Sequence, residues 1–83
     1  MKAEFWIGKN KIGEYSQDGQ SDLPAESRQG LEKNLQKKSV AVFYVEHKDG
    51  AVMKKKRESH RWADKIIDWA DHPKRNYRVE FVE

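Results

Sequence analysis

The chain has no cysteine among its 83 residues. It therefore has neither a disulfide framework nor a thiolate metal site, the two usual supports of a very small domain. Long apolar runs are missing too, since the longest spans residues 40–45 and the amino terminus lacks the apolar stretch of a signal peptide. The sequence predicts a cytoplasmic protein that makes no use of a membrane.

The length leaves room for one domain, residues 1–83, and for little internal cavity. Charged residues make up 37% of the chain and hydrophobic residues 36%, so the apolar side chains must be concentrated on a few faces to form a core. Small size and the lack of a roomy cavity disfavour most enzymes. We expect a binding protein without a cofactor.

Positive charge is concentrated in the second half of the chain. Residues 1–36 hold five Lys/Arg against six Asp/Glu, a net of −1, while residues 37–83 hold twelve against eight, a net of +4. Such charge is typical of a solvated face, of a strand edge protected against aggregation, or of a surface that binds polyanions. The densest run is Lys54, Lys55, Lys56 and Arg57.

Strand and helix signals alternate along the first half. Apolar and polar side chains alternate over residues 3–7, which predicts a half-buried strand. A weaker pattern at residues 11–15 suggests a second arm that makes an irregular hairpin with this strand. After a polar loop, Asp22 is expected to cap a helix over about residues 24–37.

A hairpin is predicted in the second half. Residues 39–48 are rich in β-formers, and the Asp-Gly pair at residues 49–50 is typical of a type I′ turn. The returning strand is expected to reach about residue 57. The turn fixes the register, which pairs Phe43 with Lys56, Tyr44 with Lys55, and Val45 with Lys54.

The clearest helix of the sequence follows the hairpin. Ser59 is a candidate N-cap, and apolar residues then recur at helical spacing, which predicts that Trp62, Ile66 and Trp69 lie in the core. Alternation over residues 77–82 indicates a last strand.

The element order is therefore strand, helix, strand, strand, helix, strand. This order resembles the ferredoxin-like βαββαβ domain, an α+β fold with a four-stranded antiparallel sheet and two helices on one face. It is also similar to the order of RNA-recognition-type domains. The third strand lacks the aromatic residues that those domains place there, so the resemblance implies the platform and not its base-specific contacts.

The predicted sheet has one face without helices. Its helix-covered face would hold Phe5, Ile7, Phe43, Val45, Val52, Val79 and Phe81, and its open face Trp6, Tyr44, Met53, Lys55, Arg57, Arg78 and Glu80. Aromatic rings among cations indicate RNA binding, because bases stack on the rings while Lys and Arg neutralise phosphates. The predicted RNA-binding residues are Trp6, Tyr44, Lys54, Lys55, Lys56, Arg57, Arg61 and Arg78.

Alternation along the third strand divides the basic run. Lys55 and Arg57 share the open face with Tyr44, so we expect them to contribute more to RNA binding than Lys54 and Lys56. The alternative is a protein-binding inhibitor that docks on a host enzyme through exposed aromatics or an edge strand. The aromatics of the open face could also pack under the second arm or form a homodimer interface.

Catalytic and metal sites are not indicated. The three histidines, at positions 47, 60 and 72, have no second histidine or cysteine at ligand spacing. The aspartates of the second predicted helix are typical of a solvated face, and no serine has a visible base partner. We expect no metal site and no enzymatic activity.

The general character of the chain also suggests a role. Small size, many lysines, several tryptophans and no cysteine resemble the early accessory proteins by which tailed bacteriophages counter host defence. No motif carries this resemblance, and it assigns no residue. It implies an anti-defence or antitoxin-like factor in the host cytoplasm, of a kind that includes RNA-binding proteins.

Overall fold

Five strands and two helices make up the computed structural model, which describes all of residues 1–83. The strands form two antiparallel sheets, one with the order β2-β1-β5 and one consisting of β3 and β4. The elements are β1 (Lys2–Ile7), β2 (Asn10–Ser16), α1 (Ala25–Leu35), β3 (Val40–Lys48), β4 (Ala51–Ser59), α2 (Trp62–Ala70) and β5 (Arg78–Val82).

The chain is α+β, but the predicted four-stranded ferredoxin-like sheet is wrong. Strand β1 pairs with β2 along one edge, where Ala3 lies opposite Tyr15, and with β5 along the other edge, where Ala3 lies opposite Phe81. The second arm of the first hairpin thus occupies the edge that the predicted topology gives to the central hairpin. With both edges of β1 filled, β3 and β4 form a sheet of their own.

Glycine allows the tight turn that brings β2 back against β1. Ile7 pairs with Asn10, so two residues make the turn, and the first of them, Gly8, has a φ of +59°. Glycine adopts this left-handed conformation without the steric cost that other residues meet. The weak sequence signal for a second arm is therefore confirmed as a strand of seven residues.

The core lies between the three-stranded sheet and the two helices. Phe5 of β1, Leu31 of α1 and Ile66 of α2 are fully buried. The ring of Trp69 meets that of Phe5 edge-on, with a centroid distance of 5.6 Å. The prediction that Ile66 and Trp69 belong to the core is confirmed, while Trp62 is half-buried at the edge of the core.

Buried polar contacts join the two helices. Asn34 near the end of α1 donates from Nδ2 to the Lys65 carbonyl oxygen at 2.8 Å and to Asp68 Oδ2 at 3.1 Å.

Helix α1 ends at Leu35, two residues before the predicted end. Asp22 does not cap it, because its Oδ1 accepts the backbone N–H of Glu14 at 2.7 Å instead. Neither helix has the length and apolar character needed to cross a membrane.

Candidate nucleic-acid interface

The hairpin of β3 and β4 projects from the rest of the molecule as a two-stranded ribbon. Val40 and Ser59 are buried at its base, but every residue from 43 to 58 except Glu46 is exposed. We call residues 40–59 the ribbon. The whole molecule measures 44 Å along its longest axis and 32 and 27 Å along the other two.

The turn and register of the ribbon are those predicted from the sequence. Asp49 and Gly50 both have positive φ, +52° and +80°, as a type I′ turn requires. The predicted pairs are all present, namely Phe43 with Lys56, Tyr44 with Lys55, and Val45 with Lys54. Opposite residues of an antiparallel pair lie on the same face, so this register defines two faces of the ribbon.

The face that includes Tyr44 carries cations that are already paired within the chain. We call it the tyrosine face. Lys55 forms an ion pair with Glu46, and Arg57 Nη2 lies 3.1 Å from Asp64 Oδ2 at the start of α2. The two cations expected to contact RNA most strongly therefore have carboxylate partners.

The opposite face, which we call the phenylalanine face, carries cations without such partners. No ion pair of the molecule involves Lys54 or Lys56. The Phe43 side chain opposite Lys56 is 67% exposed, and Val45 opposite Lys54 is 51% exposed. An exposed ring beside unpaired ammonium groups can stack on a base while the lysines bind its phosphates.

Four apolar residues that the sequence pattern placed on the helix-covered face lie in solvent. Ile7, Phe43, Val45 and Val52 are all exposed. Three of them belong to the ribbon, which forms its own sheet and is covered by no helix beyond its base. Phe43 is thus a candidate functional residue that sequence reasoning missed. The signal was present in the register, which paired Phe43 with a lysine.

Two of the predicted RNA-binding residues lie in the other sheet. Trp6 and Arg78 are neighbours across β1 and β5, and the Arg78 guanidinium carbon is 5.3 Å from the centroid of the Trp6 ring. This contact is a cation–π interaction within the chain. The structure brings Trp6 and Arg78 together but does not place them on one sheet with Tyr44 and the lysine run.

The outer face of the three-stranded sheet is balanced in charge. Lys11 Nζ lies 2.9 Å from Glu4 Oε2 and 3.0 Å from Glu14 Oε2, and Lys2 Nζ lies 3.1 Å from Glu14 Oε2. Hydrogen bonds to Glu4 and Glu14 hold the pKa of Lys11 above its usual value, and hydrogen bonds from Lys11 and Lys2 lower the pKa of Glu14. A polyanion would find few free cations on this face.

Arg61 lies beside the base of the ribbon. It occupies the N-cap position of α2 that the sequence suggested for Ser59, and its backbone N–H donates to Ser59 Oγ at 3.2 Å. The Arg61 side chain is exposed and takes part in none of the ion pairs of the molecule. It therefore adds a free cation next to the ribbon.

The surface offers no donor set for a metal ion, because no three His, Asp or Glu side chains come together. A hollow of about 320 Å³ lies near the termini and is lined by Met1, Lys2, Ser16, Gln17, Asp18 and Glu83. These residues include no nucleophile with a base beside it.

Comparisons with protein-family models, curated proteins and solved structures found no match.

Proposed function

We propose that this protein binds single-stranded RNA through the phenylalanine face of the ribbon. The observation that carries the proposal is the exposed ring of Phe43 next to Lys54 and Lys56, neither of which has a carboxylate partner. Proteins that bind single strands combine aromatic rings, on which bases stack, with cations that follow the backbone. Such contacts tolerate any sequence, since every base has a face that can stack.

A single strand suits this surface better than an RNA duplex. Bases in a duplex are already stacked on each other, and the major groove of A-form RNA is too deep and narrow for protein side chains to read. The ring of Phe43 needs an unstacked base. Binding to the ribbon would then depend on backbone charge and on stacking and would show little preference for sequence.

We also propose the role of an accessory or inhibitory factor, anti-defence or antitoxin-like, rather than that of an enzyme. Its support is the resemblance of the chain in size, lysine content and lack of cysteine to early accessory proteins of tailed bacteriophages. Occupying RNA without altering it requires no proton transfer and no nucleophile. A ribbon that projects from a small body also reaches its ligand without a deep cleft.

Fluorescence anisotropy with a labelled single-stranded RNA of mixed sequence tests the proposal at low salt. Phe43→Ala should weaken binding by about 1–3 kcal/mol, the usual loss when an aromatic stacking partner is removed. Tyr44→Ala, on the opposite face, is the matched control and should change affinity little. Absence of RNA binding by the parent protein, or equal losses in both variants, would contradict the proposal.

The exposed apolar side chains of the same face favour a second candidate function, that of a protein-binding inhibitor. Phe43, Val45 and Val52 are all more than half exposed, as in many surfaces that bind another protein. Salt separates the two candidates, because counterion release makes RNA affinity fall steeply with ionic strength. A single-stranded DNA of the same sequence shows whether the 2′-hydroxyl contributes.

A further inference from the structure

We propose that two copies of this chain pair along the outer edge of β3. The sheet of β3 and β4 has only two strands, so each has one edge without a strand partner. No backbone hydrogen bond from a loop or turn reaches residues 40–59. An isolated two-stranded hairpin is marginal in water, and a free edge is a template for another strand. Pairing would give one four-stranded antiparallel sheet with a β3 strand from each copy at its centre.

The distribution of charge selects β3 rather than β4 as the pairing edge. Strand β4 carries the run from Lys54 to Arg57, and lysine on an edge is a common protection against pairing. Pairing of two β4 strands would set one cationic run against the other. Residues 40–45 of β3 carry no charge. Pairing through β3 places both lysine runs on the outer edges of the combined sheet, far from each other.

A groove beside β3 provides charge complementarity for the second copy. It measures about 290 Å³ and lies between residues 41–43 and the end of α2, with Asp68 and Asp71 on its α2 side. In an antiparallel pair of identical strands, the end of one strand lies next to the start of the other. Lys48 at the end of β3 would therefore arrive at the acidic groove of the partner copy. Neither Lys48 nor Asp71 takes part in an ion pair within the chain.

The pairing would also shelter apolar surface. A twofold axis that relates two antiparallel neighbouring strands is perpendicular to the sheet, so the phenylalanine faces of both copies lie on the same side. Phe43 and Val45 of each copy then lie near those of the other across the central strands, where cross-strand contacts stabilise a sheet. Pairing does not depend on RNA, because its backbone hydrogen bonds form along the edge of the ribbon.

Sedimentation velocity without RNA, over a wide range of protein concentration, tests the inference. We expect a species of twice the chain mass of 9.8 kDa to dominate at high concentration. Lys48→Glu should raise the dimer dissociation constant by at least about tenfold, because it sets a like charge against the acidic groove. Lys54→Glu makes the same change of charge on β4 and should leave dimerisation intact. Both side chains are exposed, so circular dichroism should show an unchanged fold.

A charge exchange makes the test specific to the groove. Adding Asp71→Lys to Lys48→Glu restores opposite charges across the proposed interface and should recover most of the lost dimerisation. A monomer at every concentration would overturn the inference, and so would equal weakening by the two lysine variants or a charge exchange without recovery. RNA affinity, measured separately, can fail or succeed independently of each of these results.

Discussion

At the residue scale, Asp64 connects the ribbon to the body of the molecule. It is buried in the first turn of α2, where Oδ2 accepts a hydrogen bond from Ser59 Oγ at 2.5 Å and pairs with Arg57 Nη2 at 3.1 Å. Both partners belong to the end of β4, so one carboxylate holds the base of the ribbon against the helix. A hydrogen bond to a buried charged group is worth more than one between neutral groups.

Asp64→Ala should lower the free energy of unfolding by about 1–3 kcal/mol, because it leaves the Ser59 hydroxyl and the Arg57 guanidinium without their acceptor. Urea denaturation measures the loss. Glu58→Ala removes a carboxylate of the same ribbon that is exposed and forms no ion pair, and it should cost much less. Equal losses in the two variants would show that Asp64 does not anchor the ribbon.

At the scale of elements, α2 holds the core together by its contact with the three-stranded sheet. Trp69 is 4% exposed and packs against Phe5 and Tyr77, with centroid distances of 5.6 and 5.7 Å. Trp62, two turns earlier, is half-buried and meets Phe81 at 6.1 Å. The two tryptophans lie on the same helix but differ in how deeply their side chains are buried.

Trp69→Ala should therefore cost about 3–5 kcal/mol of stability, the usual range for removing a large buried ring. Trp62→Ala should cost clearly less, because part of its ring is already in water. Chemical denaturation of both variants gives the comparison. A larger loss of stability in Trp62→Ala than in Trp69→Ala would contradict the placement of Trp69 in the core and of Trp62 at its edge.

The elements also show how far the sequence could predict this fold. The turn at residues 49–50 fixed the register of the ribbon, and helical spacing identified Ile66 and Trp69 as core residues, because these signals are local. Strand partners are not local. Nothing in the alternation of β1 indicates which strands pair with it. Strand β2, whose sequence pattern is weak, fills one edge of β1 and β5 fills the other, so β3 and β4 lie in a separate sheet.

The candidate site shows the same division between local and non-local information. The lysine run and its alternation between two faces were predictable from the strand period. The ion pair of Lys55 with Glu46 and that of Arg57 with Asp64 depend on contacts between strands and between a strand and a helix. Because these contacts pair the cations of the tyrosine face, the proposed interface lies on the phenylalanine face.

At the scale of the whole molecule, free positive charge is separated from paired charge. The outer face of the three-stranded sheet pairs its cations with Glu4, Glu14 and Glu80. The phenylalanine face carries Lys54 and Lys56, which are exposed and have no such partners. Removing two lysines from the phenylalanine face should therefore weaken RNA binding more than removing two lysines from the three-stranded sheet.

The salt dependence of RNA binding tests this difference most directly. Lys54→Gln with Lys56→Gln removes two charges from the phenylalanine face, and the slope of log affinity against log salt should shrink by about 1.4, or 0.7 for each lost phosphate contact on a single strand. Lys2→Gln with Lys11→Gln removes the same charge from the three-stranded sheet and should leave the slope nearly unchanged. Equal reductions in both double variants, or no binding by the parent protein at low salt, would contradict RNA binding through the ribbon.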